Sequence, residues 1–179
     1  MADLWRADPW GYRLLFLALA VFVLFARLLP VGQEPGEYPG PDLLLCLMLA
    51  WAMRRPDFIP VWLIVLATLT EDLLLLRPPG LWTALVVMAT EFLRSRVALT
   101  RELNFVVEWL LASGLMVAML LAYRTAFALT LLPQVPFSFA LVQTVWSILA
   151  YPAVVGLSRL VFDLRKPATG EIDDQGRRL

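Results

Sequence analysis

The chain has 179 residues, 60% of them hydrophobic, and a mean hydropathy of +0.74. A water-soluble protein of this length needs more polar surface, so the composition indicates a membrane protein. Fifteen basic and fifteen acidic residues cancel, which leaves no net charge to attract nucleic acid. Histidine is absent and Cys46 is the only cysteine, which excludes disulfides, clustered Cys/His metal sites and histidine general bases.

The first apolar segment, residues 14–29, is long enough to cross a membrane and lacks a following cleavage site, so we interpret it as a retained span. Residues 30–42 are rich in proline, glycine and acidic side chains and break the chain. The second segment, residues 43–53, covers only about 17 Å of a hydrocarbon layer of about 30 Å. Either its flanking residues extend it or it lies inside the bundle, covered by other helices.

The third segment, residues 58–76, contains the adjacent carboxylates Glu71 and Asp72 and ends at two consecutive prolines. The fourth segment, residues 81–93, is again short and contains Glu91. A strongly basic loop follows it. These two segments predict two further crossings, the second of which leaves the membrane at a cluster of arginines.

The fifth segment, residues 105–132, is longer than one span needs and includes Glu108 near its start and Arg124 well inside. The last segment, residues 137–162, contains Pro152, which should bend a helix because it lacks an N–H. The sequence therefore predicts an all-α membrane protein with a six-helix bundle over residues 14–162. It also predicts a cytoplasmic N-terminal segment, residues 1–13, and a disordered cytoplasmic tail, residues 163–179.

Orientation follows from the distribution of Lys and Arg, which concentrate on the cytoplasmic side of membrane proteins. With both termini cytoplasmic, three basic residues fall on the opposite side and twelve on the cytoplasmic side. The three are Arg27, Arg77 and Arg124; the twelve are Arg6, Arg13, Arg54, Arg55, Arg94, Arg96, Arg101, Arg159, Arg165, Lys166, Arg177 and Arg178. Dropping either short segment would put a basic loop on the wrong side, so the count favours six crossings.

Charged side chains at membrane depth cost about 2.5 to 3.5 kcal/mol each and are candidates for function. The candidate intramembrane polar cluster comprises Glu71, Asp72, Arg77 and Arg124. Matched depth along their helices predicts an Asp72–Arg124 pair, with Arg77 as a competing partner for Glu71 or Asp72. Alternatively, the acids and Arg77 reach water at the headgroup level. Glu91 and Glu108 lie near the cytoplasmic side, where Arg94, Arg96 and Arg101 are expected to pair with them.

A row of small side chains recurs every four residues along the fifth segment. Such rows let transmembrane helices approach closely, either within one chain or with a separate protein. Internal packing is favoured here. The candidate helix-packing or partner face comprises Gly114, Ala118, Ala122 and Ala126.

A second surface is basic. The candidate cytoplasmic basic face, which either meets partners and anionic lipid or marks topology alone, comprises Arg54, Arg55, Arg94, Arg96 and Arg101.

Enzyme motifs are absent from the sequence. It contains no G-x-S-x-G, no H-E-x-x-H and no P-loop. Glu71 and Asp72 are a weak sign of acid/base chemistry because neighbours on a helix diverge by about 100°. We therefore predict no catalytic residues, no metal site and no cofactor.

Three stretches of the sequence combine polar and aromatic residues beside the apolar segments. Residues 41–45, Pro-Asp-Leu-Leu-Leu, lead to Trp51 and then to Arg-Arg-Pro at 54–56. Residues 70–74, Thr-Glu-Asp-Leu-Leu, precede Gly-Leu-Trp at 80–82, and Ala-Tyr-Pro at 150–152 precedes a basic exit at Arg165 and Lys166. In these stretches the chain resembles the MreD family of rod shape-determining proteins. The family often has a glycine-rich approach to its acidic position, where this chain has Ala-Thr-Leu-Thr at 67–70.

The resemblance implies a non-enzymatic adaptor of the bacterial cell-elongation machinery in the inner membrane. It implies a partner, the transmembrane helix of MreC, and through it the MreB filament, RodA and a class B penicillin-binding protein. It also implies a fold similar to the substrate-binding components of energy-coupling-factor transporters. The sequence leaves an alternative open, in which the chain is the small-molecule-binding component of a transporter and Glu71, Asp72 and Arg124 line an outward-facing pocket.

Overall fold

A computed structural model describes residues 9–29, 39–96, 104–131 and 134–162, and in these ranges the chain is all-α, as predicted. The predicted tail at 163–179, residues 1–8 and Arg101 lie outside the described residues. A short 3-10 turn, Pro56–Phe58, lies between the second and third α-helices. The six described α-helices are α1 (Pro9–Leu28), α2 (Leu43–Arg54), α3 (Val61–Leu74), α4 (Leu81–Ser95), α5 (Phe105–Leu129) and α6 (Phe137–Phe162).

Three of these helices are long and apolar enough to cross a membrane, namely α1, α5 and all but the last residue of α6. Helix α6 has the bounds predicted from the sequence and runs through Pro152 without interruption. Helices α2, α3 and α4 have 12, 14 and 15 residues, or about 18 to 22 Å each. The fold is therefore that of a helical membrane protein, in which three long helices accompany three short ones.

Helix α2 lies in the centre of the bundle. All of its residues from Leu44 to Arg54 are buried, because α1, α4 and α6 pack around it. Its N-terminus is capped by Asp42, whose side chain accepts a hydrogen bond from the Leu45 amide at 3.1 Å. Of the two alternatives for this short segment, the structure shows the second, a helix enclosed by its neighbours.

Successive helices run in opposite directions, which gives the bundle two ends. Near the end of α2 that carries Arg54, the ring of Tyr12 at the start of α1 stacks on Phe58 with centroids 4.3 Å apart. The end of α1 meets the other end of α2 through an Arg27–Asp42 contact. We name these two levels the Arg54 end and the Asp42 end.

The outer surfaces of the long helices are apolar. Phe22 on α1 is 67% exposed, Leu121 on α5 is 54% exposed and Leu160 on α6 is 85% exposed. Apolar exposure on this scale is unusual on a water-soluble monomer and is typical of helices that face lipid or a partner. The core, in contrast, forms around the fully buried Trp51 and Tyr151.

Candidate functional site

Four charged side chains meet at the Asp42 end and form what we name the Asp42 cluster: Arg27, Asp42, Glu71 and Arg77. The Arg27 Nη1 atom lies 2.5 Å from Glu71 Oε1 and 3.5 Å from Asp42 Oδ2. The Arg77 Nη1 atom approaches the same Glu71 oxygen at 3.6 Å. The Glu71 side chain is only 1% exposed, so its burial is offset by two guanidinium groups rather than one.

Asp72 has a structural partner across the following turn. Its Oδ2 atom accepts hydrogen bonds from the Gly80 amide at 3.1 Å, the Thr83 amide at 3.3 Å and the Thr83 hydroxyl at 3.0 Å. Gly80 is the N-cap of α4, adopts a left-handed φ of 92° and has no side chain to cap the helix. Asp72 therefore supplies both the acceptor and the negative charge that the N-terminus of α4 favours.

Arg124 does not meet Asp72 in the structure. Its Nη1 atom donates to the Val135 carbonyl at 3.1 Å, and its Cζ atom lies 5.1 Å from the centre of the Phe137 ring. No ion pair between Asp72 and Arg124 forms among the described residues, so the predicted pair is replaced by separate contacts. Asp72 faces the start of α4, whereas Arg124 faces the start of α6. The competing partner, Arg77, instead approaches Glu71.

A cavity of about 380 Å³ opens beside the Asp42 cluster, between α2, α5, α6 and the turn after α3. Its wall is mostly apolar and includes the charged side chains Asp42, Arg77 and Arg124, with the uncharged polar groups of Tyr123 and Gln143. This volume lies within the usual range of ligand sites. Of the three residues predicted to line a pocket, Arg124 does so, whereas Glu71 and Asp72 do not lie on the wall.

A second charge network closes the Arg54 end, and we name Arg54, Glu108 and Tyr151 the Arg54 cluster. Arg54 Nη2 lies 3.1 Å from Glu108 Oε1, and the Tyr151 hydroxyl donates to the same oxygen at 3.3 Å. The side chains of Arg54 and Glu108 are 7% and 2% exposed. The sequence predicts pairing of Glu108 with arginines of the 94–101 region, of which Arg101 lies outside the described residues. Its contact with Arg54 on α2 was missed, because lateral direction across a bundle is not encoded in depth.

The burial of Arg54 reduces the predicted basic face. Arg55 lies over the Phe58 ring at 5.1 Å, and Arg96 lies over the Phe92 ring at 4.4 Å. Arg94 forms the predicted pair with Glu91 at 3.0 Å and also donates to a backbone carbonyl. In the described part of this face, Arg55 and Arg96 therefore lie over aromatic rings, Arg94 is held by polar contacts, and Arg54 is buried.

The row of small residues on α5 points away from the bundle. Gly114, Ala118 and Ala122 are exposed and Ala126 is half-buried. A Cβ atom added at Gly114 would meet nothing within 4 Å. The favoured interpretation, packing inside this chain, does not describe the structure, because α5 instead buries the face that includes Met116.

Two members of the Asp42 cluster were missed as site residues. Arg27 is the last basic residue of α1 and was counted only as a topology signal, and Asp42 was read as part of the acidic loop. A signal for Asp42 exists, since an Asp directly before an apolar helix is a typical N-cap. Throughout the described ranges, no group of three or more acidic or cysteine side chains could hold a metal ion. No protein-family model, curated protein or solved structure matches this chain.

Proposed function

We propose that this chain crosses the bacterial inner membrane six times, with both termini in the cytoplasm, and acts as a non-enzymatic adaptor of the cell-elongation machinery. Its direct partner in this proposal is the transmembrane helix of MreC. The MreB filament, RodA and a class B penicillin-binding protein are reached through that partner. The proposal combines the resemblance of the sequence to the MreD family with one feature of the surface of α5.

The observation that carries the proposal is the outward row formed by Gly114, Ala118 and Ala122. On a lipid-facing helix, a row of small residues at four-residue spacing lets the backbone of a second helix approach closely. In this chain the row is not covered by another described helix. A single transmembrane helix from a partner is the occupant that fits such a strip.

The six crossings are supported by the alternating directions of the helices and by the distribution of charge. Of the nine described arginines, Arg27, Arg77 and Arg124 lie at the Asp42 end, and the other six lie at the Arg54 end. Placing the Arg54 end in the cytoplasm agrees with the preference of basic residues for that side. Helix α2 is enclosed by α1, α4 and α6, and irregular backbone at membrane depth is tolerated where other helices cover it, which supports short spans.

Affinity purification of the full chain from detergent-solubilised membranes tests the adaptor. We expect recovery of a single-span protein with a periplasmic coiled coil. Ala118→Leu should reduce that recovery by about tenfold, because a larger side chain in the row separates the two backbones. Ala153→Leu is the matched control, since Ala153 is also exposed but lies on α6. Equal loss or equal recovery for the two variants would contradict binding at the row.

A second candidate function is a small-molecule-binding component of a membrane transporter. The cavity at the Asp42 end favours it, because a pure scaffold needs no opening of this size beside charged side chains. The same purification separates the two functions. Recovery of a pair of cytoplasmic ATPases instead of a coiled-coil protein would support the transporter and contradict the adaptor.

A further inference from the structure

Among the described residues, the cavity at the Asp42 end contains one guanidinium, that of Arg124, without an acidic partner. Arg27 and Arg77 both approach Glu71, and Arg27 also approaches Asp42. The charge of Asp72 faces the N-terminus of α4. Within the described part of the chain, Arg124 contacts one backbone carbonyl and one aromatic ring but no carboxylate. An unpaired cation at membrane depth is costly, so a bound anion would stabilise it.

The groups around Arg124 are suited to an anion. A guanidinium has five N–H donors, of which Arg124 uses one on the Val135 carbonyl. Arg77 lies on the same wall and adds a second positive charge. Its Glu71 contact is long, at 3.6 Å, which leaves donors free. Planar guanidinium groups bind phosphate and carboxylate through paired hydrogen bonds.

The negative charge on the wall is already neutralised. Asp42 is the carboxylate that lines the cavity, and it accepts from the Leu45 amide while Arg27 lies 3.5 Å away. Arg27 and Arg77 together offset Asp42 and Glu71, so Arg124 is the charge on the described wall that no carboxylate offsets. A cationic ligand is disfavoured, and an anionic ligand would complete the balance of charge at this end of the bundle.

The remainder of the wall is apolar. Leu120, Phe127 and Phe139 line it from α5 and α6, and Leu75 lines it from the end of α3. Leu76 borders the cavity, is 92% exposed and adopts a left-handed φ of 52°. A free inorganic anion would leave this apolar surface unused, whereas a ligand with an apolar body would cover it.

We infer that the cavity binds an anionic amphiphile, with its phosphate or carboxylate group at Arg124 beside Arg77 and its apolar portion against Leu120 and Phe139. The ligand is either a membrane lipid or a free amphiphilic metabolite, since both share this chemistry. An anionic amphiphile is thus the ligand class of the cavity that supports the second candidate function. It does not depend on the adaptor, because the row of small residues on α5 is a different surface.

The test uses the full chain in phosphatidylcholine nanodiscs and three probes: dodecyl phosphate, dodecanol and inorganic phosphate. Native mass spectrometry would measure binding. We expect dodecyl phosphate to bind at least about tenfold more tightly than dodecanol and inorganic phosphate not to displace it. Arg124→Gln should lower the affinity for dodecyl phosphate by about tenfold. Arg159→Gln should leave that affinity unchanged, because Arg159 is exposed at the Arg54 end.

Ala140→Phe tests binding at the cavity if Arg124→Gln does not fold. Ala140→Phe fills the cavity and leaves both arginines in place, so it should also abolish binding, whereas Ala153→Phe on the exposed side of α6 should not. Equal binding of dodecanol, displacement by inorganic phosphate, or unchanged binding by folded Arg124→Gln or Ala140→Phe would overturn the inference. Nanodiscs with phosphatidylglycerol identify the source: competition indicates a membrane lipid, and its absence indicates a free amphiphile.

Discussion

Charged side chains cluster at both ends of α2, but they are buried to different extents. At the Arg54 end, one guanidinium, one carboxylate and one hydroxyl are enclosed together, with the Glu108 side chain 2% exposed. At the Asp42 end, the side chains of Arg27 and Arg77 are each 23% exposed, and a cavity opens beside them. The charged side chains are therefore enclosed at the Arg54 end, whereas those at the Asp42 end are partly accessible beside a cavity.

The difference lies in how deeply the charges are buried. The side chains of Arg54 and Glu108 are 7% and 2% exposed, whereas Arg27 and Arg77, which both approach Glu71, are each 23% exposed. Removing one member of a buried charge pair costs more than removing one of two partly exposed cations that share a carboxylate. The comparison therefore predicts unequal responses to equivalent substitutions.

The largest effect is expected at the Arg54 cluster. Arg54→Leu should lower the free energy of unfolding by about 3 kcal/mol, because it removes the buried guanidinium that contacts the buried Glu108 carboxylate. Unfolding by sodium dodecyl sulfate in mixed micelles, followed by circular dichroism, would measure it. Arg159→Leu is the control, with an expected change below about 0.5 kcal/mol. Adding Glu108→Leu to Arg54→Leu should recover most of the lost free energy of unfolding. Equal effects of Arg54→Leu and Arg159→Leu would contradict a stabilising role for the buried Arg54–Glu108 pair.

A smaller effect is expected at the Asp42 cluster. Arg27→Gln should cost about 1 to 2 kcal/mol in the same assay, since Arg77 remains near Glu71 and solvent reaches this end. Combining Arg27→Gln with Arg77→Gln should cost more than the sum of the two single variants. Simple additivity, or a loss from Arg27→Gln as large as that from Arg54→Leu, would mean that the two ends do not differ as described.

The smallest effect is expected at Asp72. Asp72→Ala should cost about 1 kcal/mol through loss of the cap on α4. Asp72→Asn keeps an oxygen acceptor and should recover part of the loss. Hydrogen exchange at the first amides of α4 would localise the effect. If Ala and Asn variants were indistinguishable from the unchanged chain, Asp72 would not act as a cap.

Much of the helical organisation could be predicted from the sequence. The bounds of α6 match because a proline-containing turn and a charged segment flank a long apolar run. The short length of α2 indicated enclosure as one alternative, but the identity of the surrounding helices could not follow from one chain segment. Depth along a helix depends on residue number alone. The position of a residue along its helix axis is therefore the part of the geometry that can best be predicted from the sequence.

The lateral direction of side chains was the part that sequence could not supply. Residue number predicts similar depths for Asp72 and Arg124, yet the two side chains face the starts of different helices. Glu108 likewise pairs with Arg54, which is 54 residues away in the chain. Rotation of each helix about its axis decides such contacts, and it is set by packing of the whole bundle. The row on α5 faces outwards for the same reason.

The orientation of the bundle can be measured by labelling single cysteines in intact cells with a membrane-impermeant maleimide. Cys46 is buried and would be replaced by serine, and new cysteines would be placed at the exposed positions Gly40 and Ser95. We predict that Gly40→Cys is labelled from outside the inner membrane and that Ser95→Cys is labelled only after the membrane is permeabilised. Labelling of Ser95→Cys from outside, or of both positions from one side, would contradict the six crossings.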